Sequence, residues 1–442
     1  MRKYFYLSLL ILLLPFNCNP QNFNPPDWSY DKAIYEVNLR QYTEEGTIKA
    51  FEQHLPRLKE LGADILWFMP IHPIGKLNRK GNLGSYYSVQ DYKAVNPEFG
   101  TLNDFKLMVN KIHKMGMYVI IDWVANHTAW DNKLIYDHPE FYITDSLGNI
   151  IPPNPDWTDV ADLNFDNRNL WKEMIGALKF WVEECDIDGY RCDVSGMVPI
   201  EFWIEARTEL EKIKNVFMLA EWDTPEQHRA FDMTYDWNLH RILNDIANEE
   251  KSVKDLFEHL FKDEKEYSEN AFRMQFTSNH DENSWNGTVY ERLGDGAEVF
   301  AVLTCMVPDM PLVYTGQEAG NKKRLSFFEK DVVDWKEDKF SELYSKLFTL
   351  KKENKSLHNG SRGGELIPIK SSDEENIFAI TRNSYKDKVC AIFNLSNNEN
   401  QFTLEGENLT GSYKNFFTGK LETFTTKENF KLGPWEYKIF VK

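Results

Sequence analysis

From Asp27 onward the chain alternates short runs of apolar and β-branched residues with longer stretches in which apolar positions recur every three or four residues. The first pattern is that of buried strands and the second that of amphipathic helices, and their regular alternation predicts parallel βα units. Residues 33–37, 65–70, 118–122, 188–193, 217–221, 232–236, 272–276 and 311–314 supply eight such strands. Helical periodicity runs through 47–61, 102–115, 167–184, 199–212, 237–262, 297–306 and 340–352, with Gly62 as a stop after the first of these. Eight strands separated by helices predict a closed (β/α)8 TIM barrel built from residues 27–127 and 163–356. Residues 128–162 break the rhythm, hold Pro139, Pro152, Pro153 and Pro155, and are expected to form a small domain inserted after strand three. Beyond Leu357 the runs 376–380, 389–394 and 437–441 are separated by Asn, Gly and Lys turns, which predicts a C-terminal antiparallel β-sandwich over 357–442.

Composition narrows the function. With 42% hydrophobic and 14% aromatic residues the 442-residue chain is not disordered, and its 13 Trp and 20 Tyr offer ring faces of the kind on which sugars stack. A formal charge of −18 argues against nucleic acid or an anionic membrane surface as partner and leaves a neutral or cationic ligand. The five cysteines show neither paired spacing nor a zinc pattern. Arg2 and Lys3 precede an apolar run over 4–16, the layout of a secretory signal and too short to span a bilayer comfortably. Cys18 follows, then an Asn- and Pro-rich tether to Pro26. This resembles a bacterial lipoprotein signal with Cys18 as the lipidated residue, although Pro15, Phe16 and Asn17 depart from the usual small-residue pattern. It predicts export to the periplasm, outer membrane or cell surface, with the lipid as the sole membrane contact.

The chemistry sits at the strand ends. Arg191 and Asp193 are two apart on one strand and so share a face. A cation beside a carboxyl lowers its pKa by roughly one to three units, which predicts an ionised Asp193 suited to nucleophilic attack. Asp122 with His127, Glu221, and His280 with Asp281 close three other apolar runs. Polar groups repeated at the carboxyl ends of strands mark a barrel active site. Glycoside cleavage needs one carboxyl to attack and another to protonate the leaving oxygen. Glu221, between Ala220 and Trp222, has the drier setting that raises a carboxyl toward the role of general acid. Asp281 adds a third carboxylate, His127 and His280 add hydrogen-bond donors, and Tyr87 adds a ring for a pyranose face.

The segments 122–127, 189–193, 220–221 and 279–281, in this order, resemble the four motifs of the alpha-amylase family, glycoside hydrolase family 13. Supporting stretches are 87–92, 96–100 and 311–318. The resemblance implies a retaining hydrolase or transglycosylase of alpha-linked glucose, needing no cofactor, with maltooligosaccharide or a larger alpha-glucan as its partner. It implies Asp193 as nucleophile, Glu221 as general acid/base and Asp281 as the carboxylate that fixes the distorted sugar. Tyr87, Asp122, His127, Arg191 and His280 match the residues around the glucosyl unit being cleaved. Residues 128–162 match domain B, and the β tail matches domain C. Many relatives carry Lys-His soon after the nucleophile, the His helping to hold calcium, where this chain has Gly196 and Met197. Asn126 and Asp162 remain as candidate calcium ligands. Glucanotransferase, trehalose-forming isomerase and debranching reactions would use the same site. A non-catalytic glucan-binding surface protein is opposed by the intact carboxylate trio, and a metal hydrolase built on His127, His280 and Asp281 by a first strand offering only Glu36 and Asn38.

Overall fold

The computed structural model describes residues 23–442, so the apolar run over 4–16 and Cys18 lie outside the described residues. Eight strands, β1 (Ile34–Val37), β2 (Ile65–Phe68), β3 (Tyr118–Val124), β4 (Gly189–Asp193), β5 (Phe217–Ala220), β6 (Met233–Tyr235), β7 (Phe272–Gln275) and β8 (Met310–Tyr314), pair in parallel with their chain neighbours. The ring closes where Ile34, Tyr35 and Glu36 of β1 pair with Leu312, Val313 and Tyr314 of β8. Both faces of these strands are buried, which is why they read as continuous apolar runs. Alternate residues separate the two faces: Ile34, Ile65, Trp67, Ile120, Leu219 and Met274 fill the barrel, while Tyr35, Leu66, Ile121, Tyr190 and Met218 pack under the helical ring.

Two helices are shorter than their periodicity predicts. Residues 47–61 break into Ile48–Phe51, a 3-10 turn at Glu52–His54, and Leu55–Leu61. Pro56 in the first turn of the last piece has no N–H to continue the ladder from the turn before it. Residues 237–262 form two helices, Trp237–Ala247 and Val253–Glu266, because 248–252 is a polar run containing Glu249 at a left-handed φ of 60°.

After β3 the chain leaves the barrel through a two-stranded antiparallel ribbon in which His127–Ala129 pairs with Val160–Asp162. At the C-terminus a six-stranded and a three-stranded antiparallel sheet enclose a second core that includes Ile377, Ile392, Phe402, Leu404, Tyr413 and Phe440. Cys185, Cys192, Cys305 and Cys390 are buried free thiols. Among the described residues no helix is long and apolar enough to cross a membrane.

The start of β4 depends on a glycine. A Cβ on Gly189 would lie 1.9 Å from the Phe217 carbonyl oxygen of β5, so no side chain fits between these strands. Gly189→Ala is expected to lower unfolding free energy by about 1–3 kcal/mol or more through overpacking, read from the urea midpoint. An unchanged midpoint would show that the two strands are not packed this closely.

Candidate active site

Along several strands the inward-facing row changes from apolar to charged as it nears the carboxyl end. Ile34 is followed two residues on by Glu36, Ile120 by Asp122, Gly189 by Arg191 and then Asp193, and Leu219 by Glu221. Register sets these rows side by side, with Asp122 opposite Arg191 and Arg191 opposite Leu219. Arg191 is fully buried. Its Nη1 donates to Asp122 Oδ1 and to Asp193 Oδ1, both at 2.9 Å, and its Nε donates to the Tyr235 hydroxyl at 3.1 Å. Its Nη2 lies 2.8 Å from Glu221 Oε1, an ion pair whose angle falls short of a hydrogen bond. Asp193 and Glu221 therefore sit on the two adjacent terminal nitrogens of one guanidinium.

Glu221 is held from the other side by the Val194 amide, which donates to Oε2 at 2.7 Å. Val194 reaches that position at φ 36°, ψ 45°, a left-handed conformation that is unfavourable for a β-branched residue. Such backbone strain costs on the order of 1–3 kcal/mol and persists only where its surroundings impose it.

A second network faces the first. Trp67 Nε1 and the Tyr87 hydroxyl donate to Asp122 Oδ2 at 3.2 and 3.1 Å. His280 Nε2 is 2.7 Å from the Tyr87 hydroxyl and 3.2 Å from Asp281 Oδ2, and its Nδ1 is 2.5 Å from Glu36 Oε1. His127, turned edge-on to Trp157 at 5.5 Å, completes the set.

These surroundings set the proton affinities. Burial pushes Glu221 up to about 8, with Arg191 opposing it and the charges of Asp193 and Asp281 adding to it. Burial likewise lifts Asp193 to about 6, against the pull of Arg191. The sequence expectation that Arg191 depresses Asp193 below the usual carboxylate range is thus corrected, because burial outweighs a cation that is shared with Asp122 and Glu221. Burial would raise Asp281, but the His280 cation holds it below its ordinary value. Burial would lower His280, yet Asp281 and Glu36 together hold it well above an ordinary imidazole, as a cation. Burial lowers His127 to about 4, leaving it neutral.

Tyr87, His127, Asp193, Glu221, His280 and Asp281 line one cavity of about 460 Å3, so residues spread over nearly 200 positions converge there. Asp122 and Arg191 lie beneath it. A model of the alpha-amylase catalytic domain matches residues 19–143 and 155–359, more than half of the chain. The chain belongs to the alpha-amylase family. It is a glycoside hydrolase. By sequence, this alpha-amylase family member is 23% identical to Alpha-amylase 2 of Dictyoglomus thermophilum, over 95% of this chain and 78% of that one. It is 26% identical to the maltogenic alpha-amylase of Bacillus acidopullulyticus, over 95% and 75% respectively. Its fold superposes on the noncanonic maltogenic alpha-amylase AmyB from Thermotoga neapolitana with a TM-score of 0.86 at 30% identity, covering 93% of this chain and 98% of that one. An alpha-amylase from Lactobacillus plantarum gives 0.84 at 30% identity, covering 93% and 99%.

Sequence reasoning missed several residues of this family member's site. Glu36, which clamps His280, was legible only as a strand-one acid, although its inward parity with Ile34 marked it. Lys80, Trp157, Trp285, Phe327 and Phe328 also line the cavity from segments without periodicity. The two candidate calcium ligands meet at the inserted ribbon, where Leu163 N donates to Asn126 O at 3.1 Å and Asp162 pairs with His127. Burial pushes Asp162 up to about 6. The Asp162 carboxyl and the Asn126 amide would supply up to about three of the six to eight oxygens that calcium takes, the rest coming from backbone carbonyls and water. Among the described residues no group of three or more His, Cys, Asp or Glu side chains is placed to hold a metal ion.

Glu36→Gln removes one of the two carboxylates that keep His280 charged. Nitrogen NMR of the His280 ring is expected to show its pKa falling toward that of an ordinary imidazole. Persistence of the cation at neutral pH would mean that Asp281 suffices without Glu36.

Proposed function

We propose that this enzyme hydrolyses alpha-glucosidic bonds, mainly alpha-1,4, in starch-derived glucans and maltooligosaccharides by double displacement with net retention. The observation that carries this reading is the pairing of Asp193 and Glu221 on one guanidinium, with Glu221 holding its proton more tightly than Asp193. A retaining reaction uses two carboxyls roughly 5 to 5.5 Å apart, and here both acids are held as close neighbours by adjacent nitrogens of Arg191.

A glucosyl ring stacked on Tyr87 presents its anomeric carbon to Asp193. The Asp193 carboxylate bonds to that carbon as the glycosidic C–O bond breaks, and Glu221 passes its proton to the departing oxygen. The Glu221 carboxylate then takes a proton from water, whose oxygen displaces Asp193 and restores both groups. Asp281, kept ionised by His280, accepts hydrogen bonds from ring hydroxyls, and its negative charge favours the flattened, positively charged transition state.

Relatives and structural neighbours that are amylases and maltogenic amylases support the substrate class. A second reading, transfer of the glucosyl unit to a sugar, is favoured by a smaller cavity beyond Glu221 lined by Trp222, Asp223 and Trp237. Trp222 lies flat against Gly196, where a Cβ would come within 2.1 Å of the ring. An acceptor sugar bound there would compete with water. We also propose export, with Cys18 carrying a lipid anchor, which labelled palmitate would report and Cys18→Ala would abolish.

Asp193→Asn is expected to lower kcat by roughly four to six orders of magnitude, because nucleophile and acid act as a unit. Near-normal turnover would refute the assignment. The pH dependence of kcat/KM should be bell-shaped. Below about 6 Asp193 gains a proton and cannot attack, and above about 8 Glu221 loses the proton it must donate. Proton NMR of the first product should show the alpha anomer; a beta anomer would exclude double displacement. Product profiles on maltooligosaccharides at low and high concentration separate hydrolysis from transfer.

A further inference from the structure

We propose that the enzyme engages glucans only from a free non-reducing end, because a tied segment walls off the side of the cavity into which that end points. The inference rests on the reading that Asp193 and Glu221 cleave a glucosidic bond, and it adds which end of the substrate the site accepts.

The ring under attack lies over Tyr87 and His280, with the leaving sugar on the Glu221 side. That side continues into the second cavity, which shares Val194 and Glu221 with the first and is completed by Trp222, Asp223 and Trp237. The non-reducing part of a long glucan would run on the opposite side, toward residues 76–85, which follow β2 and place Lys80 and Ser85 in the cavity lining. This segment spans the mouth between the inserted ribbon domain and the chain that follows β8.

On the insert side, Lys80 Nζ donates to the Asp156 carbonyl at 2.6 Å and pairs with the Asp159 carboxylate at 3.2 Å. Lys76 N donates to Asp131 Oδ2 at 2.9 Å. On the β8 side, Asn82 donates through both its backbone and its amide nitrogen to the Glu329 carboxylate, each at 2.9 Å, and Leu83 N donates to Phe328 O at 3.0 Å. Behind them the buried Arg40 donates to the carbonyls of Gly84 and Phe327 at 3.0 and 3.2 Å. Gly81 packs so closely on Phe328 that a Cβ would lie 2.5 Å from the Phe328 Cβ. Lys80, Phe327 and Phe328 also line the cavity that holds the three carboxylates, so the tie is itself the cavity wall.

A polymer cannot pass through a wall held at both ends by charge-assisted and backbone hydrogen bonds. It can enter only with its terminus, extending outward across Glu221. The segment thus converts a cleft that would bind a glucan along its length into a pocket open on one side.

The test compares maltoheptaose with maltoheptaose whose non-reducing end is capped as a cyclic acetal, following the release of new reducing ends. The wild-type enzyme should turn over the uncapped substrate and cleave the capped one at least about a hundredfold more slowly. Glu329→Ala and Lys80→Ala, which release the wall on opposite sides, should each raise the capped-to-uncapped rate ratio by about tenfold, some 1.4 kcal/mol in relative barrier. Comparable cleavage of both substrates by the wild type would overturn the inference and leave the hydrolase reading standing. Turnover of neither would overturn both. An unchanged ratio in folded variants would show that these ties do not make the barrier, and if a variant fails to fold, the wild-type comparison decides alone.

Discussion

The active site depends on one buried cation. Arg191 has no access to solvent, is met by the carboxylates of Asp122, Asp193 and Glu221, and is surrounded by the rings of Trp67, Tyr87 and Tyr235 at 5.2 to 5.8 Å from its centre. Burying a guanidinium is costly unless it is paired, and removing one partner of a buried pair typically costs several kcal/mol. The carboxylates therefore stay where the guanidinium's planar fork puts them, and the fork stays where β4 holds its stem. A point charge on a flexible lysine would not reproduce two carboxyls on adjacent nitrogens.

The same cation organises the protons. Two acids so close cannot both be ionised at little cost, and burial raises both. What separates them is the balance of neighbours. Asp193 accepts a hydrogen bond from Arg191, whereas Glu221 has an off-axis ion pair with it and feels the charges of Asp193 and Asp281. Opposite them, His280 is kept charged between Glu36 and Asp281, which places a cation and an ionised acid on the far side of the sugar. The strained Val194 turn contributes an amide aimed at Glu221 rather than stability.

The wall over residues 76–85 extends this logic from chemistry to specificity. Segments that follow β1, β2, β3 and β8 meet there, joined by Arg40, Lys80, Asn82 and Glu329, which are tied to one another's loops rather than to the reacting carboxyls. Barrel strands are rigid, so the reaction is set by them, whereas the shape of what may enter is set by the loops that join across the mouth.

How far the chain was legible follows from the range of each interaction. Period-two and period-3.6 apolar patterns determined the eight strands, most of the helices and the β-rich tail, because burial on a defined face is a local property of spacing. Strand parity likewise determined that Arg191 and Asp193 share a face and that charged residues gather at strand ends. Tertiary structure alone decided that Arg191 is divided among three carboxylates, so that burial wins over its pull on Asp193. It alone recruited Glu36 across the closure of β1 on β8 to charge His280, and joined residues 80 and 82 to partners at 156, 159 and 329. Those contacts link segments up to some 250 residues apart, and no periodicity along a chain records which distant segments barrel closure will bring face to face.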